Sequence, residues 1–148
     1  DLEPGILFVE RQFGILEIHG NDKDKLLAAG RAVLKGLGLS ESDQLAPRLL
    51  FADVIEDIAD QHAVIINRNR QASMVMPGET LLVVEMVPAL YAAIVANEAE
   101  KVAPGLTLVD CQMIGAAGRL YMSGATADVE KGLAEIERVL AGIEGRKG

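Results

Sequence analysis

The sequence predicts an α+β fold in which two helices cover one face of an antiparallel sheet, preceded by a strand-helix extension. Three observations predict it. From residue 81 onward the apolar pattern runs strand, helix, strand, strand, helix, and helices so spaced can pack together on one side of a sheet. Aromatic residues make up 3% of the chain, with no Trp, so the core must use the abundant small and branched side chains that let helices lie close on a sheet. A polar stretch from Ser40 to Pro47 marks a boundary, giving residues 1–47 as the extension and 48–148 as the main domain.

The chain of 148 residues is long enough to bury a core, and 50% apolar content is that of a globular protein. A formal net charge of −8 argues against nucleic acid as a partner, since phosphate binding needs clustered Lys and Arg. The run Arg68-Asn69-Arg70 is too short to overturn that. A single cysteine, Cys111, excludes an internal disulfide and a cysteine-based metal cluster. No charged segment followed by an apolar one opens the chain, and no apolar stretch reaches the ~20 residues of a membrane span. A cytosolic protein without a membrane partner is expected. The chain starts at Asp1, not Met, so further N-terminal sequence is also expected.

Element by element, Ile6 to Val9 and Phe13 to Ile18 read as two short strands, or one bent around Glu10-Arg11-Gln12. Asn21 or Asp22 caps a helix from Lys23 to Leu37, which Gly38 ends. Leu50, Val54, Ile55 and Ile58 sit at helical spacing and predict a helix over Leu49–Ala59. Ala63 to Ile66 is a compact apolar run read as a buried strand, and Met76-Pro77-Gly78 as a turn. Leu81 to Met86 is then a strand. Pro88 can start a helix running from Ala89 to Val102, which Pro104-Gly105 stops. Leu106 to Val109 and Arg119 to Met122 are strands around the loop Gly115-Ala116-Ala117-Gly118. The last helix runs from about Ala127 to Ile143, with Val129, Leu133, Ile136 and Leu140 as its apolar face. A fourth strand would complete a ferredoxin-like βαββαβ unit.

Several of these segments together resemble the bacterial microcompartment shell family. They are Leu82-Val83-Val84-Glu85, the helix end Ala96-Asn97-Glu98-Ala99-Glu100-Lys101, Leu106-Thr107-Leu108-Val109, Ile114-Gly115, the strand closing in Gly124, and the helix start Asp128-Val129. The match covers roughly residues 78 to 143, and the order and spacing of the motifs carry it. The resemblance implies flat homo-hexamers that tile into sheets with other shell proteins, and a central pore for small metabolites. It places Lys101 at the hexamer edge against its counterpart on the next hexamer, with Asn97 where an acidic residue is common. It makes Gly115, Ala116, Ala117 and Gly118 the pore loop, one residue longer than usual, with Arg119 as a nearby charge and Met113 where Lys is common.

The family's last strand is missing after the final helix. The segment His62-Ala63-Val64-Ile65-Ile66-Asn67-Arg68 resembles it, placed ahead of the domain, which implies a circularly permuted member with Arg68 as a second edge contact. The first forty residues resemble no family. Ile15 to Leu37 faintly echoes Leu120 to Leu140, either as a decayed copy or as an added strand-helix element.

Plainer readings stand beside these. Lys101 can be a solvated cation answering the helix dipole, and Gly115–Gly118 an ordinary hairpin loop. His19 and His62 lack a Cys partner at ligand spacing, so no metal site is expected, and Cys111 reads as a small buried residue. Asp53, Glu56, Asp57 and Asp60 read as the solvated face of the second helix. No phosphate loop, Ser-His-Asp set or HExxH motif occurs, so neither catalysis nor a cofactor is expected. The functional expectation is a structural shell subunit. The alternative is a regulatory α+β domain binding a small ligand at subunit interfaces.

Overall fold

Two units make up the chain, residues 1–46 with 144–148 and residues 47–143. The computed structural model describes residues 2–10, 13–68 and 73–147, so the bend at Arg11-Gln12 and the residues Asn69 and Arg70 lie outside the described residues.

In the first unit, β1 (Glu3–Glu10) and β2 (Phe13–His19) form an antiparallel hairpin, which decides between the two readings of that segment. Helix α1 (Lys23–Gly36) follows. Asp22 is its N-cap, its carboxylate accepting from the amides of Asp24 and Lys25 at 3.0 and 3.1 Å. Gly38, at φ +72°, closes the helix, and the Leu39 amide donates back to the Leu34 carbonyl at 2.8 Å. A 3₁₀ turn, Glu41–Asp43, occupies the polar stretch. There the Ser40 hydroxyl and amide both donate to Asp43, holding its carboxyl below the usual range. The C-terminal residues return to this unit: the Ala46 amide donates to the Arg146 carbonyl and the Arg146 amide to the Gln44 carbonyl, each at 2.9 Å.

None of residues 2–5, 14–46 and 144–147 of this first unit is buried. Its stability therefore leans on local helix terms. Gly30 lies exposed in the middle of α1, and an added Cβ there meets nothing within 4 Å. Gly30→Ala is expected to stabilise the helix by about 0.5–1 kcal/mol, because alanine loses less chain entropy on folding. The check is slower amide exchange across α1, by about two- to fivefold. Unchanged exchange would contradict it.

The second unit is a four-stranded antiparallel sheet of order β3-β4-β6-β5, built from β3 (Arg48–Ile55), β4 (Thr80–Val87), β5 (Thr107–Gln112) and β6 (Gly118–Gly124). Helices α3 (Tyr91–Val102) and α4 (Thr126–Ala141) pack on each other and on one face. Leu82, Val84 and Met86 of β4 and Leu120 and Met122 of β6 meet Ala92, Val95, Ala96 and Ala99 of α3 and Val129 and Ile136 of α4 there. The alternate residues Leu81, Val83 and Tyr121 point the other way. With Val109 and Ile55 they pack against Ala63 and Ile66 of a short helix, α2 (Asp60–Asn67), against Ile58 just ahead of it, and against Val75. Both faces of β4 are thus covered, which accounts for its nearly unbroken apolar run.

Two expectations are corrected here. The helix predicted over Leu49–Ala59 is the strand β3 and a turn. The strand predicted at Ala63–Ile66, and with it the segment His62–Arg68 taken for the missing strand, is the helix α2. The fourth strand does come from ahead of the unit, but it is β3. Counting β4, β5 and β6 as the first three strands of a βαββαβ unit, β3 lies beside the first, where the last strand belongs. The arrangement is therefore circularly permuted.

Candidate functional site

The loop between β5 and β6 runs from Met113 to Ala117. Gly115 sits at φ +107°, a conformation that side chains disfavour, so this position needs glycine for the backbone itself. Met113, Ile114 and Ala116 are exposed, and Gly115 and Ala117 half-buried. The loop therefore offers methyl groups, a thioether and backbone amides to its surroundings. Gly118 is different. It is buried in the first position of β6, and a Cβ there would lie 2.3 Å from the carbonyl oxygen of Ala89. Its lack of a side chain lets the start of the α3 segment rest on the sheet.

Arg119 lies on the sheet face opposite α3 and α4, within β6 and beyond the loop. Its guanidinium Nε donates to Glu85 of β4, directly across the ladder, at 3.3 Å. The register sets Phe51, Glu85, Arg119 and Gln112 in one row across the four strands. The charge expected near the loop is thus present, with a carboxylate beside it. Burial pushes the half-buried Cys111 thiol up, and the residue packs against the helix-side core as a small apolar group would.

On α3, Asn97 and Lys101 converge on a residue the sequence reading passed over. Lys101 Nζ donates to Glu98 Oε1 at 2.7 Å, and Asn97 Nδ2 donates to the same oxygen at 2.9 Å. Glu98, one residue after Asn97, is thus the carboxylate that Lys101 meets. The Lys101 hydrogen bond holds the Glu98 carboxyl below its ordinary range, with the lysine charge and Asn97 adding to it; desolvation and the nearby Glu135 oppose it. On α4, Arg138 forms a two-pronged pair with Glu135, at 2.7 Å from Nε and 2.5 Å from the terminal nitrogen. The i,i+3 spacing of Glu98 and Lys101 was the available signal.

Arg68 is exposed at the C-cap of α2, on the opposite side of the sheet from Lys101, so the two do not form one contact. The strand on which its edge role rested does not exist. The four carboxylates read as one helix face are also scattered: Asp53 is on β3, Glu56 and Asp57 are in the turn after it, and Asp60 opens α2. His19 pairs with Glu17 at 3.1 Å, and His62 is exposed on α2. Among the described residues no three His, Cys, Asp or Glu side chains are grouped to hold a metal ion, and no helix is long and apolar enough to cross a membrane.

Comparison with known proteins adds the relatives. Residues 1–43 match the family model of the CsoS1D N-terminal domain, which accounts for the segment that resembled nothing by inspection. The chain is 46% identical over 100 residues to the carboxysome shell protein CcmP of Synechococcus elongatus, covering 68% of this chain and 47% of that protein. It is 39% identical over 98 residues to the carboxysome shell protein CsoS1D of Hydrogenovibrio crunogenus, covering 66% and 48%. The chain thus spans about half the length of the curated relatives it matches. Among solved structures, the double-ringed trimeric shell protein MSM0271 from the RMM microcompartment superposes with a TM-score of 0.94 at 61% identity, over 99% of this chain and 72% of that one. The fused permuted hexameric shell protein MSM0275 from the same microcompartment gives 0.90 at 46% identity, with the same coverage. The permuted sheet, the extension and these identities agree, and the chain belongs to the bacterial microcompartment shell protein family.

Proposed function

We propose that this chain is a structural subunit of a microcompartment shell in the bacterial cytoplasm, with no catalytic step and no cofactor of its own. The observation that carries the reading is the 61% identity to a shell protein over 99% of the chain, with the fold superposing throughout. Six copies of the permuted unit close a ring as a homo-hexamer. The fused permuted neighbour, hexameric by description, supports a six-unit ring, whereas the other neighbour is a double-ringed trimer by description. The rings tile edge to edge with other shell proteins. Gly115, Ala116 and Ala117 line a central pore for small metabolites, with Gly118 anchoring the loop and Arg119 paired to Glu85 at its base.

Light scattering with negative-stain imaging tests this on the purified protein. Hexagonal rings and sheets are the expected result, and a monomer or dimer that never forms them would sink it. Lys101→Ala is expected to raise the concentration needed for sheets by about tenfold, the ~1.4 kcal/mol of a lost edge contact. Ring mass should not change. Loss of the ring itself would contradict an edge role for Lys101.

A further inference from the structure

Glu98 gathers Lys101 and Asn97 onto one carboxylate oxygen, yet it is hard to explain as a fold-stabilising group. The Lys101 side chain is 60% exposed, and an exposed ion pair of this spacing adds little to stability because water screens it. The arrangement makes better sense at a contact between copies. When two identical edges meet about a two-fold axis, each residue near the axis faces itself. Lys101 then meets a second Lys101, and two ammonium groups in contact repel. A carboxylate 2.7 Å from each ammonium turns the meeting into two neutral pairs.

We propose that Glu98 is a positioning residue for lateral assembly: it holds Lys101 Nζ along α3 and cancels its charge, so that two lysine edges can approach. The proposal rests on the reading of Lys101 as an edge residue. Asn97, bonding the same oxygen, fixes the carboxylate rotamer. The neighbouring Glu135–Arg138 pair on α4 is already balanced, so it leaves the cancellation to Glu98.

The test compares sheet formation by sedimentation for the full chain, Lys101→Ala, Glu98→Gln and the double variant Glu98→Gln/Lys101→Gln, each with ring mass measured by native mass spectrometry. Glu98→Gln keeps the side chain's size and one acceptor oxygen, which is all that Lys101 and Asn97 use, and removes its charge. It is expected to raise the sheet-forming concentration by about tenfold in low salt. The defect should fade toward 0.5 M salt, at roughly 4–5 Å screening length, because the cost is like-charge repulsion. The double variant should lose the salt dependence shown by Glu98→Gln and match Lys101→Ala, since no uncompensated cation remains. If Lys101→Ala impairs sheets while Glu98→Gln assembles normally, the positioning role is overturned and the edge reading stands. A Glu98→Gln defect that ignores salt, or a lost ring, also overturns it. If Lys101→Ala assembles normally, the edge reading fails and takes this proposal with it.

Discussion

Gly118→Val is expected to destabilise the second unit by about 3 kcal/mol or more, and Gly118→Ala by roughly 2 kcal/mol. The reason is the nature of the atoms in the way. A Cβ at 118 would sit 2.3 Å from the Ala89 carbonyl oxygen and 3.0 Å from both its carbon and Cα, all backbone. Those atoms belong to the turn between β4 and α3, and Gly118 is itself paired with Met86 on β4. Relief requires separating the α3 segment from the sheet, over a core whose residues Met86, Ala92 and Leu120 are fully buried. Gly132 of α4 makes a useful contrast. Its added Cβ would meet Leu106 Cδ1 at 2.5 Å, but that is the tip of a flexible side chain and can turn away. Gly132→Ala should therefore cost clearly less than Gly118→Ala. Urea midpoints of the three variants decide the matter. A Gly118→Val protein within 1 kcal/mol of the parent would mean that this glycine is not a packing residue.

That glycine also shows what could and could not be read from residue order. As part of Gly115-Ala116-Ala117-Gly118 it looked like one of two equivalent loop glycines. Only the fold separates Gly115, needed for its positive φ, from Gly118, needed for a close approach. Residues 81 to 143 were legible because each element there keeps one clear period and is punctuated by Pro or Gly. Residues 48 to 67 were not, for two physical reasons. In β3 the ladder skips Leu50 between Leu49 and Phe51, and this bulge shifts the alternation so that the apolar residues mimic helical spacing. In α2 the β-branched Val64 and Ile65 stand 67% and 64% exposed, so the exposed side of its second half is apolar and the run Ala63–Ile66 reads as a buried strand. The pairing of Glu85 with Arg119 depends on register across 34 positions, which no local pattern reveals.

Asn67→Ala is expected to destabilise the second unit by about 2–4 kcal/mol, a large effect for a half-buried polar residue. At the end of α2, the Asn67 side-chain Nδ2 donates to the Val75 carbonyl at 2.7 Å, and its Oδ1 accepts from the Val75 amide at 2.9 Å. One side chain thus serves as both ladder partners for a fully buried residue. Val75 sits in the cluster formed by Ile58, Ala63, Leu81 and Val109, which holds α2 on the sheet. Removing the amide strands a backbone donor and an acceptor together, and each unsatisfied group costs about 1–3 kcal/mol where water cannot replace the partner. Asn67→Asp separates the two bonds. The new carboxylate can still accept from the Val75 amide, but its second oxygen then faces the Val75 carbonyl, and only the protonated acid can donate there. The folded state therefore favours the acid, raising that carboxyl above its unfolded value. A raised carboxyl contributes stability at low pH that is lost as pH rises through the folded value. The Asn67→Asp variant should thus lie closer to the parent in acid than at neutral pH, while the deficit of Asn67→Ala stays the same at both. Urea titrations at two pH values read this directly, and an equal pH response from both variants would show that the clamp on Val75 does not hold this end of α2.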